Sequence, residues 1–217
     1  SPWWLDNKKL DFPGGYHIEL WGGMGMPSYG FGFNQSAVNE YLGEEVGGYG
    51  DKIREEVKDF YGSLVGLSGR GESIARKENY CEIDPTTVDE FGIPILRFNY
   101  QWSDNELKQA RHMHETFEEV LGNMGGKLLG DKPGPEKKYG LHNPGRIIHE
   151  VGTTRMGSDP KTSVVNEFER LHDVENVFIV DAGPFVSQAD KNPTWTIMAL
   201  SWRTSEFIIE ELKKQNI

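Results

Sequence analysis

The sequence predicts an α+β fold in which an antiparallel sheet is backed by helices. Three patterns carry that expectation. Short aromatic and β-branched runs recur at wide, loop-filled spacings in the first half of the chain, which suits antiparallel strands better than a doubly wound parallel sheet. One strongly amphipathic helix opens on a capping box at Ser103–Glu106. A second helix opens on Asn192-Pro193-Thr194 and starts almost wholly apolar.

Taken in order, His17 to Trp21 reads as a strand, with glycines on both sides marking turns or close backbone approach. Residues 36–61 are helical in parts, interrupted by Gly47-Gly48-Tyr49-Gly50. Ser63–Leu67, Tyr80–Ile83 and Pro94–Trp102 read as strands. In Ser103-Asp104-Asn105-Glu106 the serine can cap the helix amides while the glutamate reaches back. Leu107, Ala110, Met113, Phe117, Val120, Leu121 and Met124 then share one face, and Gly125-Gly126 stops the helix. Residues 130–145 hold four glycines and three prolines, a loop and a candidate boundary, which divides the chain into 1–143 and 144–217. Val177–Val180 has the continuous apolar character of a strand buried on both faces. Pro193 suits the first turn of the last helix with Asn192 as its cap. Thr194–Trp202 should be buried, and Phe207, Ile208 and Leu212 should face inward in the amphipathic continuation.

Charge and composition exclude several function classes. The 217 residues carry 23 Lys plus Arg against 34 Asp plus Glu, a net charge of −11. That argues against a protein tracking nucleic-acid phosphates and against a polybasic membrane surface. One cysteine, Cys81, leaves no internal disulfide framework and no Cys-rich zinc site. His112 and His114 lie at i, i+2 rather than at the i, i+4 spacing of helical ligands, so no metal site is expected. No run reaches the length of a membrane span, and Ser1–Asp6 has neither a basic nor an apolar leader, so no transmembrane or signal segment is expected. No Gly-x-Ser-x-Gly elbow, phosphate loop or Gly-x-Gly-x-x-Gly fingerprint occurs.

Two segments carry candidate chemistry. His149-Glu150-Val151-Gly152-Thr153-Thr154-Arg155-Met156-Gly157 places a histidine before a glycine- and hydroxyl-rich turn. Histidine titrates near neutrality and can take a proton from an alcohol, and glycines let the backbone approach a flat ligand. Asn192-Pro193-Thr194 stands at a helix start, whose unpaired amides can hold a negative oxygen or an electron-rich ring edge. Taken singly, a structural histidine and an ordinary asparagine cap account for both.

Taken together they resemble a family. His-x-x-Gly-Thr-x-Arg-Met-Gly, Asp-Pro-x-x-Ser-Val-Val-Asn (159–166), Asn-Val-Phe-Ile-Val-Asp-Ala-Gly (176–183) and Asn-Pro-Thr-x-Thr-Ile-Met-Ala-Leu (192–200) resemble, in this order, the C-terminal part of the glucose–methanol–choline (GMC) flavoprotein oxidoreductases. Glu78-Asn79-Tyr80, Ile83-Asp84-Pro85, Asp89-x-Phe-Gly-Ile-Pro94 and Ser103–Glu106 are similar to the substrate-domain half. The branch resembled most is the bacterial sugar dehydrogenases, including the glucoside 3-dehydrogenases.

The resemblance implies a substrate domain over 1–143 and, over 144–217, an active-site loop with a strand and helix that complete a flavin-binding α/β domain whose main part lies outside this chain. It implies FAD as cofactor. It places His149 as base for the substrate hydroxyl and Asn192 on the flavin N5 side. Pro193 and Thr194 fall at the pyrimidine edge, and Asp181 and Ala182 at the phosphate–ribityl region. The implied reaction is oxidation of a sugar or glycoside hydroxyl, at C3 in the glucoside branch. His149 takes the proton and hydride leaves for flavin N5. The implied partners are an N-terminal FAD-binding half and an electron acceptor such as a cytochrome or a small accessory subunit. Export of the bacterial relatives implies the periplasm. A different class remains open at this point: a non-catalytic carbohydrate-binding or assembly module using Trp3, Trp4, Trp21 and Trp102.

Overall fold

The computed structural model describes residues 8–22, 51, 65–126, 128, 132–146 and 148–217. Its elements are β1 (Tyr16–Gly22), β2 (Val65–Gly71), β3 (Tyr80–Val88), β4 (Pro94–Asn99), α1 (Asp104–Asn123) and α2 (Thr194–Lys214). The fold is α+β, and among the described residues β1–β2 and β3–β4 form two separate two-stranded sheets in place of one larger sheet. The helical expectation within 36–61 falls almost wholly outside the described residues, as do Trp3 and Trp4.

The chain forms two compact units. One comprises His17–Arg70 and Lys108–Leu141. There β1 and β2 are tied by Trp21 Nε1–H donating to Ser68 Oγ at 2.6 Å and by Arg70 on Glu19 at 2.8 Å. Gly69 of β2 lies so close to α1 that a Cβ would stand 2.5 Å from Met113 Sδ. His114 on α1 meets the Tyr139 carbonyl at 2.9 Å.

The second unit comprises Pro2–Tyr16, Gly71–Leu107 and His142–Ile217. In it β3 and β4 pair antiparallel, Cys81 opposite Phe98 and Ile83 opposite Leu96, with a register irregularity between Ile83 and Val88. Asp84 accounts for that irregularity. Its Oδ1 accepts the backbone N–H groups of Thr86 and Thr87, both at 2.8 Å, and the Thr86 hydroxyl at 2.9 Å. Those bonds, the Thr86 amide first, hold the carboxyl at about 2. They also draw the strand into a local turn that includes Pro85, which has no N–H to give the ladder.

The capping box forms. Glu106 Oε2 accepts the Ser103 N–H (2.6 Å) and hydroxyl (2.5 Å), while Ser103 Oγ accepts the Asn105 N–H (3.2 Å). Glu106 reaches further than a cap requires. Its Oε1 also accepts the Ile74 N–H at 3.1 Å and the Ser73 hydroxyl at 3.4 Å, so one buried carboxylate joins the segment after β2 to the start of α1. At the other end, Gly125 adopts φ +70°. Gly126 N–H donates to Leu121 O (2.8 Å) and Gly125 N–H to Gly122 O (3.1 Å), the paired bonds of a Schellman cap.

Three features of the C-terminal segment depend on what lies beside it. Residues 177–181 form no strand ladder. Leu171 N–H donates to Val177 O (3.0 Å), Ile179 N–H to Glu169 O (2.8 Å), and a single bridge joins Arg170 to Phe178. A ladder needs a parallel or antiparallel neighbour along its whole length, and the described residues provide only the 169–171 turn. Asn192 does not cap α2. Pro193 occupies that position, and no side chain caps the helix. The apolar start of α2 is exposed in this chain, with Trp195 87%, Met198 64% and Trp202 72% accessible, as fits a surface whose expected cover lies in the flavin-domain part outside it, whereas Leu212, expected to face inward, lies outward. Its inner face is held instead by Phe207 stacked on Phe168 at 4.1 Å, by the buried Thr204 hydroxyl on Glu169 Oε2 at 2.7 Å, and by Ser201 Oγ–H on Val180 O at 2.9 Å.

Glu106→Ala is expected to destabilise the protein by about 1–3 kcal/mol in chemical denaturation, since it leaves buried donors unpaired. Burial raises the Glu106 carboxyl, but the Ser103 and Ile74 donors outweigh it and hold it below its ordinary value of 4.5. The contribution is therefore complete above that unfolded-state value and is lost as pH falls through the lower folded one. The acid limb of a stability–pH curve should flatten in Glu106→Ala.

Candidate active site

The His149–Gly157 segment is seated by its backbone. Gly152, Thr154 and Met156 donate their N–H groups to Ala182 O (3.2 Å), Gly183 O (3.1 Å) and Pro184 O (2.8 Å). On one side alternate residues donate, as an extended chain requires. On the other, consecutive carbonyls accept, as they do in a helical turn, and Phe185 N–H closes that turn on Ala182 O at 3.3 Å. Pro184 suits it because its nitrogen has no N–H to satisfy.

Two glycines let these segments meet. A Cβ on Gly183 would stand 2.2 Å from Thr154 Oγ1 and 2.9 Å from Asp181 Oδ1. Gly152 has φ +84°, and a Cβ there would be 3.1 Å from Phe185 O. Asp181 Oδ1 accepts the Gly183 N–H at 2.7 Å and fixes the turn from within. His149 precedes the paired stretch with φ +88°, a sparsely populated conformation for a residue with a side chain. Its ring is half-buried and makes no hydrogen bond among the described residues. Thr154 Oγ1 is buried and likewise finds no partner there.

The sequence-derived residues therefore fall into two groups. Asp181 and Ala182 are brought directly against the His149 loop. Asn192, Pro193 and Thr194 form the entry to α2, which Ser201 fastens to Val180. No hydrogen bond joins His149 to Asn192 among the described residues, and Asn192 is exposed. The preceding turn is shaped by the Gln188 side-chain amide donating to Lys191 O and by Lys191 Nζ on Asp190 Oδ2 at 2.5 Å. Asp190 is buried, and burial followed by its charge pushes the Glu72 carboxyl up. Because α2 has no side-chain cap, the Thr194, Trp195 and Thr196 amides remain available to a negative or electron-rich group. Thr154 was not singled out by sequence. The Gly-Thr-Thr turn signalled close approach, but a hydroxyl left without a partner is a property of packing alone.

The GMC oxidoreductase C-terminal sequence model matches residues 75–201, the span from the segment before β3 into α2. The chain belongs to the GMC oxidoreductase family. It is similar to the gluconate 2-dehydrogenase flavoprotein of Pantoea cypripedii, 30% identical over 167 residues, 76% of this chain and 27% of that protein. It is similar to the fructose dehydrogenase large subunit of Gluconobacter japonicus, 27% identical over 186 residues, 84% of this chain and 32% of that protein. It is also similar to the C-glycoside 3-oxidase of Arthrobacter globiformis, 30% identical over 154 residues, 70% of this chain and 28% of that protein. The chain thus spans about three tenths of the length of these relatives.

Gly183→Ala is expected to cost roughly 1–3 kcal/mol, because the new methyl meets Thr154 Oγ1 and the paired turn must open. Gly122→Ala on α1, where nothing stands within 4 Å, serves as the control and should gain up to about 1 kcal/mol. Thermal melts of the two variants read the contrast.

Proposed function

We propose that this chain forms the substrate side and the C-terminal segment of an FAD-dependent dehydrogenase that oxidises a hydroxyl of a sugar or glycoside. The observation that carries the reading is the strip in which 152–156 and 182–184 pair beside a histidine with no hydrogen bond and a buried hydroxyl with no partner among the described residues. The names of the relatives, a gluconate and a fructose dehydrogenase and a C-glycoside oxidase, point to polyhydroxylated substrates. The last of them favours oxidation at C3.

Several features suit a flat, electron-rich cofactor ring with a phosphate tail. Gly152 and Gly183 admit close backbone approach, Thr154 offers an unused hydroxyl, and the uncapped turn of α2 offers free amides. In this reading Asn192, Pro193 and Thr194 hold the ring edge, and Asp181 and Ala182 lie along the ribityl–phosphate region. FAD supplies the redox chemistry when bound, as acceptor of the hydride. His149 takes the substrate hydroxyl proton on its free ring nitrogen. Its ring makes no hydrogen bond among the described residues, which leaves its nitrogens open to substrate. Asn192 fixes the orientation of substrate against the ring, and such alignment supplies much of the acceleration in transfers of this kind.

Residues 1–143 serve in this reading as substrate domain and 144–217 as the return to the flavin domain. The flavin-binding half and an acceptor, a cytochrome or a small accessory subunit, are the proposed partners. A relative described as a large subunit supports the second. The exposed stripe Trp195, Met198 and Trp202 supports the first, since contiguous apolar surface of this kind marks an interface. A periplasmic location follows the exported bacterial branch, and fractionation of the native source tests it.

In the full-length enzyme, His149→Ala should lower turnover on sugars about 10²–10⁴-fold with flavin absorbance retained. Asn192→Ala should act in the same direction but less strongly. Near-normal turnover in His149→Ala overturns the assignment. Titrated with FAD, the isolated chain should show no tight binding, and addition of the N-terminal half should restore it. Stoichiometric binding by the chain alone removes the need for that partner.

A further inference from the structure

The Asp159–Ser163 turn folds back over the start of the Gly152–Gly157 segment and leaves a cleft of about 280 Å³. Gly152, Thr153 and Arg155 line one side, and Lys161, Thr162 and Ser163 line the other. Its walls are fixed. Val164 N–H donates to Arg155 O (3.0 Å) and Gly157 N–H to Val165 O (2.9 Å). Gly157 must be bare, because a Cβ there would stand 2.9 Å from that of Ser163. Ser163 Oγ–H donates to Asp159 O at 2.7 Å, so its oxygen accepts from His172 Nε2–H at 2.9 Å.

Both charged residues on this lining are positive, in a chain whose net charge is −11. The Arg155 guanidinium is held by Nε and Nη2 on a single carbonyl, Thr162 O, at 2.8 and 2.7 Å. That anchors the plane of the group and leaves Nη1 without a partner among the described residues. Lys161 has no acid partner among the described residues either, so both charges of the lining are left unneutralised. The acid nearest in sequence, Asp159, uses its Oδ1 on the backbone N–H of Lys161 at 2.9 Å. A pre-oriented guanidinium beside an exposed ammonium and the Thr153 hydroxyl is a donor set that recognises a carboxylate or phosphate.

We propose that this cleft binds an oxyanion, the carboxylate or phosphate group of a small ligand. The site stands on its own geometry and does not depend on the oxidoreductase reading. Thr153 is four residues from His149 on the same loop, so an anion seated there joins the segment proposed to carry the base.

The flavin-loaded full-length protein is titrated calorimetrically with inorganic phosphate and, separately, with gluconate, at low and at moderate salt. Binding of either, weakened by salt, is expected. Phosphate alone assigns a phosphorylated ligand, gluconate alone a carboxylate, and both together a general oxyanion site. Lys161→Glu, on an exposed side chain, should weaken binding tenfold or more with an unchanged melting temperature. Arg155→Lys, which keeps the charge but loses the fork, should weaken it as well. His149→Ala should bind the anion as the wild type does, whatever its effect on turnover. Wild-type affinity in Lys161→Glu, or no binding of either anion up to about 50 mM, overturns the proposal.

Discussion

The second unit depends on three backbone bonds. Gly152, Thr154 and Met156 donate to three consecutive carbonyls at 182–184, and that strip holds the His149 loop against the Asp181–Ala182 turn. Such pairing works only where an extended segment meets a helical turn, because only there do alternate donors face consecutive acceptors. Each net bond is worth about 0.5–1.5 kcal/mol. Their greater effect is geometric, since Gly183 leaves no space for a side chain between the two segments. The strained backbone at His149 lies directly outside this seated stretch, where the chain is held on one side only.

Around that strip the unit is tied together by polar side chains as much as by apolar ones. Glu106 joins the segment after β2 to α1, Asp84 shapes β3, and Thr204 with Glu169 joins the 167–169 turn to α2. The apolar material that would ordinarily fill a core is displayed instead. Ile83, Leu96 and Phe98 share one face of the β3–β4 pair and are exposed, as are Trp195, Met198 and Trp202 on α2. Polar ties of this kind set direction and register but bury little area. The stability that large apolar side chains contribute on burial must then come from surfaces that meet these faces.

The cleft beside Arg155 follows a different economy of charge. Several surface cations of the molecule stand against a carboxylate, in pairs that contribute little to stability. Arg155 instead spends its fixed bonds on one backbone carbonyl, which orients the group without neutralising it. Position and charge are thereby separated. The backbone sets where the guanidinium lies, and its charge stays available to a ligand.

Sequence alone determined what short-range chemistry determines. The capping box at Ser103–Glu106, the Gly125-Gly126 stop, the strands near 17–21 and 80–83, the first part of the run expected over 94–102 and the α+β class follow from spacing, β-branching and turn residues, and the structure contains them. The two candidate segments were legible because their residues are contiguous. Tertiary structure decided what depends on partners distant in the chain. Residues 177–181 are apolar enough for a buried strand, but a strand exists only beside another, and the 169–171 turn offers a single bridge. Asn192 has the chemistry of a cap, yet Pro193 stands at the cap position, so its side chain stays exposed. Periodicity marks Trp195, Met198 and Trp202 as a surface to be covered without saying by what. The orphan hydroxyl of Thr154 and the guanidinium of Arg155 turned onto Thr162 arise only when segments distant in sequence pack, because a hydrogen bond left unmade or diverted is set by neighbours in space.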